Sequence, residues 1–240
     1  MVMIMKKIFN SRNLMRVIFV TFLGSIVFVS ARIISAPAVA PSAEINVRVK
    51  SDYVLMLLQS VFGVFAMLLP GFLKHKVRLN IPDAMLIAYA IFLYCAIYLG
   101  EVRNFYYIAD HWDTILHAFS GAALGALGFS VVNILNKSES IAFYLSPVFV
   151  ALFAFCFALS LGVIWEIYEF SADYFLNTNM QKYASEFGEP LIGKAAIADT
   201  MKDLIVDAVG AFIVSAIGFV SLKYRKGWLY RFQVKRLEHD

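Results

Sequence analysis

Apolar residues recur along this chain in long unbroken runs, not in the alternation of a half-buried strand or the single stripe of a soluble helix. Six runs stand out: Leu14 to about Ser35, Tyr53–Leu73, Ile81–Gly100, Asp113–Leu135, Ile141–Phe170 and Thr200–Leu222. Each reaches the length of about 20 residues that crosses a hydrocarbon core of about 30 Å. The fifth is the longest and must tilt, kink near Pro147 or project beyond the bilayer. The pattern predicts an all-α polytopic membrane bundle of six transmembrane helices, a single integral domain over residues 1–240.

Composition agrees. Hydrophobic residues make up 61% of the chain and charged residues 16%, against about 45–50% and about 25% in soluble domains. A water-soluble globule and a disordered chain are both excluded. Cys95 and Cys156 lie inside apolar runs and read as small core hydrophobes, not as a disulfide framework.

The net charge of +4 changes the picture through its distribution. Lys6, Lys7, Arg12 and Arg16 precede the first run, and Lys74, Lys76 and Arg78 separate the second from the third. Lys137 follows the fourth, and Lys223, Arg225, Lys226, Arg231, Lys235 and Arg236 follow the sixth. These are 14 of the 21 basic residues, all on one side of an alternating path. The positive-inside rule makes that side cytoplasmic, with both termini inside. The segments Ala36–Asp52, Glu101–Trp112 and Ser171–Asp199 then face outward. The positive charge is thus that of cytoplasmic loops and gives no reason to expect a nucleic-acid partner.

Local signals refine this outline. The basic start, the run Val17–Ala31 and Ala36-Pro37-Ala38 fit either a cleaved signal peptide or a first span; the outline takes the span. Asn80 before Ile81-Pro82-Asp83 reads as a helix start. Thr200-Met201-Lys202-Asp203 has a capping-box pattern. Ser171–Asp199, with Gly188-Glu189-Pro190, reads as a long polar loop, either a lid or a partly helical surface segment.

The few acidic residues cluster in depth. Asp110, His111, Asp113 and His117 open the fourth helix, Trp165-Glu166-Ile167-Tyr168-Glu169 closes the fifth, and Asp203 and Asp207 open the sixth. Spacings of three, four and seven put the members of each group on one helix face. Ionisable groups in a membrane segment face the bundle interior or a wet cavity. One extracytoplasmic-facing polar pocket between helices four, five and six is therefore expected. Capping and interfacial placement are bland alternatives for Asp113, Asp203, Glu169, Trp165 and Tyr168. Capping does not explain His117, Glu166 or Asp207, which lie deeper. Small-residue faces at Ala118, Gly121, Ala122, Gly125 and Gly128, and at Ala208, Gly210, Ala211 and Gly218, would let helices four and six approach closely.

Gathering these carboxylates requires neutralisation. Three forms remain open: protonated carboxyls, a bound divalent cation, or a cationic substrate group. A cation would also admit an anionic phosphate and act as Lewis acid. No charge lies near the midplane of any run, which speaks against ion-coupled transport. No P-loop, G-x-S-x-G, H-E-x-x-H or C-x-x-C is present.

Asp110-His111-Trp112-Asp113-x-x-x-His117-x-x-x-Gly121, Trp165-Glu166-x-x-Glu169 and Asp203-x-x-x-Asp207-x-x-Gly210 resemble the YjdF-type family of uncharacterised bacterial inner-membrane proteins over about Tyr53 to Leu222. More remotely the pattern is similar to VanZ-like membrane proteins, associated with teicoplanin resistance, in which Asn usually stands where Asp207 is. The resemblance implies a multi-pass protein of the bacterial cytoplasmic (inner) membrane with a cell-envelope role. Its VanZ-like side implies kinship with membrane enzymes acting on phosphate-bearing lipid head groups.

The leading expectation is an enzyme for transfer or hydrolysis of a lipid-linked head group, with membrane lipids as partners and a divalent cation as candidate cofactor. His117, Glu166 and Asp207 are the candidate catalytic residues. Asp113, Glu169 and Asp203 are the candidate metal ligands. Asp110, His111, Trp165 and Lys202 are the candidate substrate contacts. A non-catalytic lipid- or antibiotic-binding protein and a cation transporter are the alternatives.

Overall fold

A computed structural model of the chain describes residues 11–38, 48–136, 145–185, 189–228 and 233–236. Seven α-helices carry almost all of it: α1 (Ser11–Ser35), α2 (Lys50–Lys76), α3 (Asp83–Leu93), α4 (Phe105–Ile108), α5 (Trp112–Asn136), α6 (Pro147–Leu176) and α7 (Lys194–Lys223). α3 continues as a π-helical segment, Tyr94–Val102. Two short strands, β1 (Leu79–Asn80) and β2 (Lys235–Arg236), pair antiparallel. Six helices are long and apolar enough to cross a membrane: α1, α2, α3 with its π-helical extension, α5, α6 and α7. The all-α membrane bundle read from the apolar runs is the observed fold class. Lys6, Lys7, Lys137, Arg231, Gly188 and the expected start of the fifth helix at Ile141 lie outside the described residues.

Element boundaries differ from the sequence reading in a consistent direction. α6 continues to Leu176 and α7 begins at Lys194, so the expected loop Ser171–Asp199 shrinks to residues 177–193. Thr200 lies inside α7, so the predicted capping box is absent and Asp203 does not cap a helix. Asn80 belongs to β1, and the third helix starts after Pro82, whose carbonyl accepts the first amide bonds from Met85 and Leu86. Pro147 occupies the first position of α6 instead of kinking it; there its missing N–H removes no helical bond.

The chain forms two compact units, each assembled from separated segments. The first comprises residues 1–69, 87–113 and 166–201. Its core joins Ile18 and Phe22 of α1, Met67 of α2, Ala90 and Leu93 of α3, and Ile97. Gly63 makes this packing possible: a Cβ there would lie 2.9 Å from both the Phe22 ring and Ile97. Arg32 donates to the Tyr53 hydroxyl at 3.1 and 3.2 Å. The π-helical segment ends with the Arg103 amide bonded to the Tyr98 carbonyl, five residues back.

The second unit comprises residues 70–86, 114–165 and 202–240. Phe129 and Val132 of α5 pack on Val150 and Ala154 of α6. Gly128 lets the backbones meet there, since a Cβ would come within 2.7 Å of the Ala154 Cα. On α7, Gly218 receives the Phe129 ring, which fills the place a side chain would take. Lipid exerts no hydrophobic force between helices, so such shape fit and close contact must hold them together.

Gly218→Ala should therefore lower the thermal midpoint in detergent, at a cost of about 1–3 kcal/mol for overpacking. Combining it with Phe129→Leu should restore part of that loss. Equal loss in the single and double variants would show that the two residues do not share the space.

Candidate functional site

The site in the second unit starts from three glycines. A Cβ on Gly121 of α5 would lie 2.5 Å from the Asp207 carbonyl oxygen, and one on Gly210 of α7 would lie 2.6 Å from the Ala118 carbonyl oxygen. α5 and α7 thus cross backbone to backbone, as their small-residue faces predict. A Cβ on Gly162 of α6 would lie 2.7 Å from Oδ2 of Asp207. This crossing places His117, one turn before Gly121, against two carboxylates of α7.

The geometry around the imidazole is asymmetric. Nδ1 of His117 lies 3.2 Å from Oδ2 of Asp207, and Nε2 lies 4.0 Å from Oδ2 of Asp203. The first is a hydrogen-bond distance, and an ionised Asp207, which can only accept, takes it from Nδ1–H. The second is too long for one. The Ser120 hydroxyl stands 3.1 Å from Oδ1 of Asp207 and 2.9 Å from the His117 carbonyl, so its one proton serves either acceptor. All three ionisable residues are buried: His117 is 7%, Asp203 1% and Asp207 2% exposed. Ser120 is three residues after His117 and so on the same helix face, a signal that was readable but not taken. Gly162 carried none, because a single glycine in an apolar run is commonplace.

The first unit gathers a different set. Lys182 donates to Asp113 in an ion pair and reaches Asp199 at 3.3 Å. Its ammonium also lies 5.8 Å from the centre of the Tyr106 ring. That ring packs on Gly100, where any side chain would collide with it. Lys182 is placed by a folded segment, not a free loop. The Asp173 carboxylate accepts bonds from the Thr178 hydroxyl (2.7 Å) and the amides of Met180 (2.7 Å) and Gln181 (3.0 Å). The Asn179 side chain bonds both the amide and the carbonyl of Ala184, and Ala184 pairs with Pro190.

The expected site residues are thus distributed as follows. His117, Asp203 and Asp207 come together. Glu166 and Glu169 lie buried on one face of α6, and Asp173, four residues further on, extends that face. Asp113 lies in the first turn of α5 and pairs with Lys182. Asp110 and His111 precede α5, so the helical spacing assumed for Asp110 does not apply; both are exposed. Lys202 is also exposed, while its neighbour Asp203 is buried. Trp165 is half-buried. Lys182, Asp199 and Asp173 were missed because the sequence reading placed them in a loop.

Two variants test these assignments. Asp207→Ala removes one partner of a buried pair and should lower the midpoint by the equivalent of about 3–5 kcal/mol, with Asp207→Asn losing less. Asp173→Ala releases three bonds and should expose residues 177–185 to limited proteolysis. An unchanged cleavage pattern would assign that segment's order to other contacts.

The chain is 27% identical over 173 residues to an uncharacterized protein of Thermotoga maritima, covering 69% of this chain and 80% of that protein. No solved structure matches it. Residues 31–224, which include every helix of the site, match the model of the family described as Predicted membrane protein (DUF2238), and the chain belongs to that family.

Proposed function

We propose that this protein is a bacterial inner-membrane enzyme that holds a divalent cation on Nε2 of His117 and the carboxylate of Asp203. It uses that cation from the extracytoplasmic side on a phosphate-bearing lipid head group in envelope metabolism. The supporting observation is the division of labour on one imidazole. Nδ1–H is committed to Asp207 at 3.2 Å, and Nε2 faces Asp203 at 4.0 Å. A neutral histidine that donates one N–H to a carboxylate presents its other nitrogen as a lone pair, the usual form of a metal-binding histidine. Asp207 is then the orienting group, itself held by Ser120, and Asp203 supplies the charged ligand.

The cation would neutralise the acidic site and polarise a phosphoryl oxygen. This reading gives His117 a ligand's role in place of the proton-handling role expected from sequence. The six apolar helices and the family match support the membrane setting. The VanZ-like likeness of the Glu166 and Asp203-x-x-x-Asp207 elements supports the lipid-phosphate substrate. The basic segments at one side support the outward orientation of the site.

The test is the thermal midpoint of purified, chelator-stripped protein across a panel of divalent cations. One cation should raise the midpoint of the wild type, by about 2.7 kcal/mol in stability at one hundred times its dissociation constant. Asp203→Asn and His117→Ala should abolish the response. No response to any cation overturns the metal role. Head-group turnover that survives His117→Ala combined with Glu166→Gln overturns the catalytic assignment.

A further inference from the structure

The end of the second unit that carries β1 and β2 is an ordered basic surface. α7 stops at Lys223, and the chain turns back through Arg225, whose φ of 52° is left-handed. The amide of Lys226 bonds the Ser221 carbonyl at 3.0 Å, and the amide of Trp228 bonds the Ser221 hydroxyl at 3.1 Å. Further on, Val234 is 4% exposed, and its amide donates to the Ser130 hydroxyl of α5 at 3.3 Å. That anchor sets Lys235 and Arg236 opposite Asn80 and Leu79. Arg78, also left-handed at φ 59°, leads directly into β1. The tail is therefore tied to the turn between α2 and α3.

Cations dominate what this ribbon displays. Arg78, Lys223, Arg225, Lys226, Lys235 and Arg236 are all exposed, and Lys74 and Lys76 at the end of α2 add to them. Asp83 is the one acidic residue among the described residues of these segments. Fixing the orientation of the spans requires basic residues near span ends but no particular fold for them. A tail left in solvent would serve that purpose. Here backbone pairing and a buried valine hold the charges in one place.

We propose that this ribbon binds the head group of an anionic phospholipid. Two features select a lipid over other polyanions. The segments leave directly from the ends of the apolar helices α2 and α7. They also expose Val77, Tyr224 and Trp228, side chains suited to the level of the head groups. Clustered Lys and Arg at that level attract anionic lipids in a salt-dependent way. The surface is separate from the His117 site, and the inference does not rest on the catalytic reading.

The experiment titrates phosphatidylglycerol, and in parallel phosphatidylcholine, into the full-length protein in detergent, with retained lipid read by native mass spectrometry. Wild type should retain phosphatidylglycerol in preference, and high salt should erase the preference. Each charge removed should cost about fivefold in affinity, so K235Q/R236Q should bind phosphatidylglycerol about 25-fold more weakly. K50Q, an exposed lysine of the first unit, should leave it unchanged. If K235Q/R236Q lowers the midpoint without lipid, R225Q/K226Q, outside the strand, carries the same test. Equal retention of the two lipids by wild type overturns the proposal, and so does undiminished phosphatidylglycerol binding by a folded double variant.

Discussion

The backbone contact between α5 and α7 governs the rest of the second unit. Gly121 and Gly210 leave no room for a methyl group on either side of the crossing, each facing a carbonyl oxygen of the other helix. Only at that separation does a histidine on one helix reach carboxylates on the other. Without it, Asp203 and Asp207 would be buried without the imidazole beside them, and buried charges in membrane segments are costly unless compensated. Packing and electrostatics are therefore one constraint here. The small residues do not merely bring helices together; they determine which polar side chains meet.

The two units engage their acidic side chains by different means. In the first, Asp113 and Asp199 share the permanent charge of Lys182, and Asp173 is saturated by a hydroxyl and two amides. Those donors do not change with pH near neutrality, and they fix a chain segment in place. In the second, the counterpart of the acids is a histidine, the one side chain whose ordinary titration falls near neutral pH and whose nitrogens also bind metals. A fixed charge suits a structural joint. A group that exchanges a proton for a cation suits a site.

How far this was legible follows from what each signal measures. Apolar run length reports the lipid-exposed stretch of a helix, so six spans were readable and the fold class with them. Run length does not report where the helix stops, because a helix projecting beyond the lipid keeps its own hydrogen bonds while its side chains turn polar. That is why Ser171–Leu176 and Lys194–Asp199 read as loop and fold as helix. The meeting of His117 with Asp203 and Asp207 was readable, since both faces carried spaced polar groups beside small residues. The Lys182 joint was not: its partners are set by the turn that Asp173 organises, and nothing in the local pattern marks Asp173 as that turn's acceptor. Ser120 lay within reach of the same face argument that found His117.

The depth of the acids along α7 decides between capping and partnering. A helix dipole acts on charges in its first turn and fades beyond it. Asp113 stands in the first turn of α5, so both that field and Lys182 act on it. α7 begins at Lys194, which leaves Asp203 and Asp207 more than two turns inside, beyond the reach of its N-terminus. His117 and Ser120 of α5 are among the groups that meet them there. Asp207 has both of its oxygens engaged by those two residues. Asp203 faces Nε2 across a distance that no hydrogen bond spans. The two aspartates, equivalent in sequence, are thus unequal in structure: one lies within hydrogen-bond distance of the imidazole, and the other stands beyond it on the opposite nitrogen.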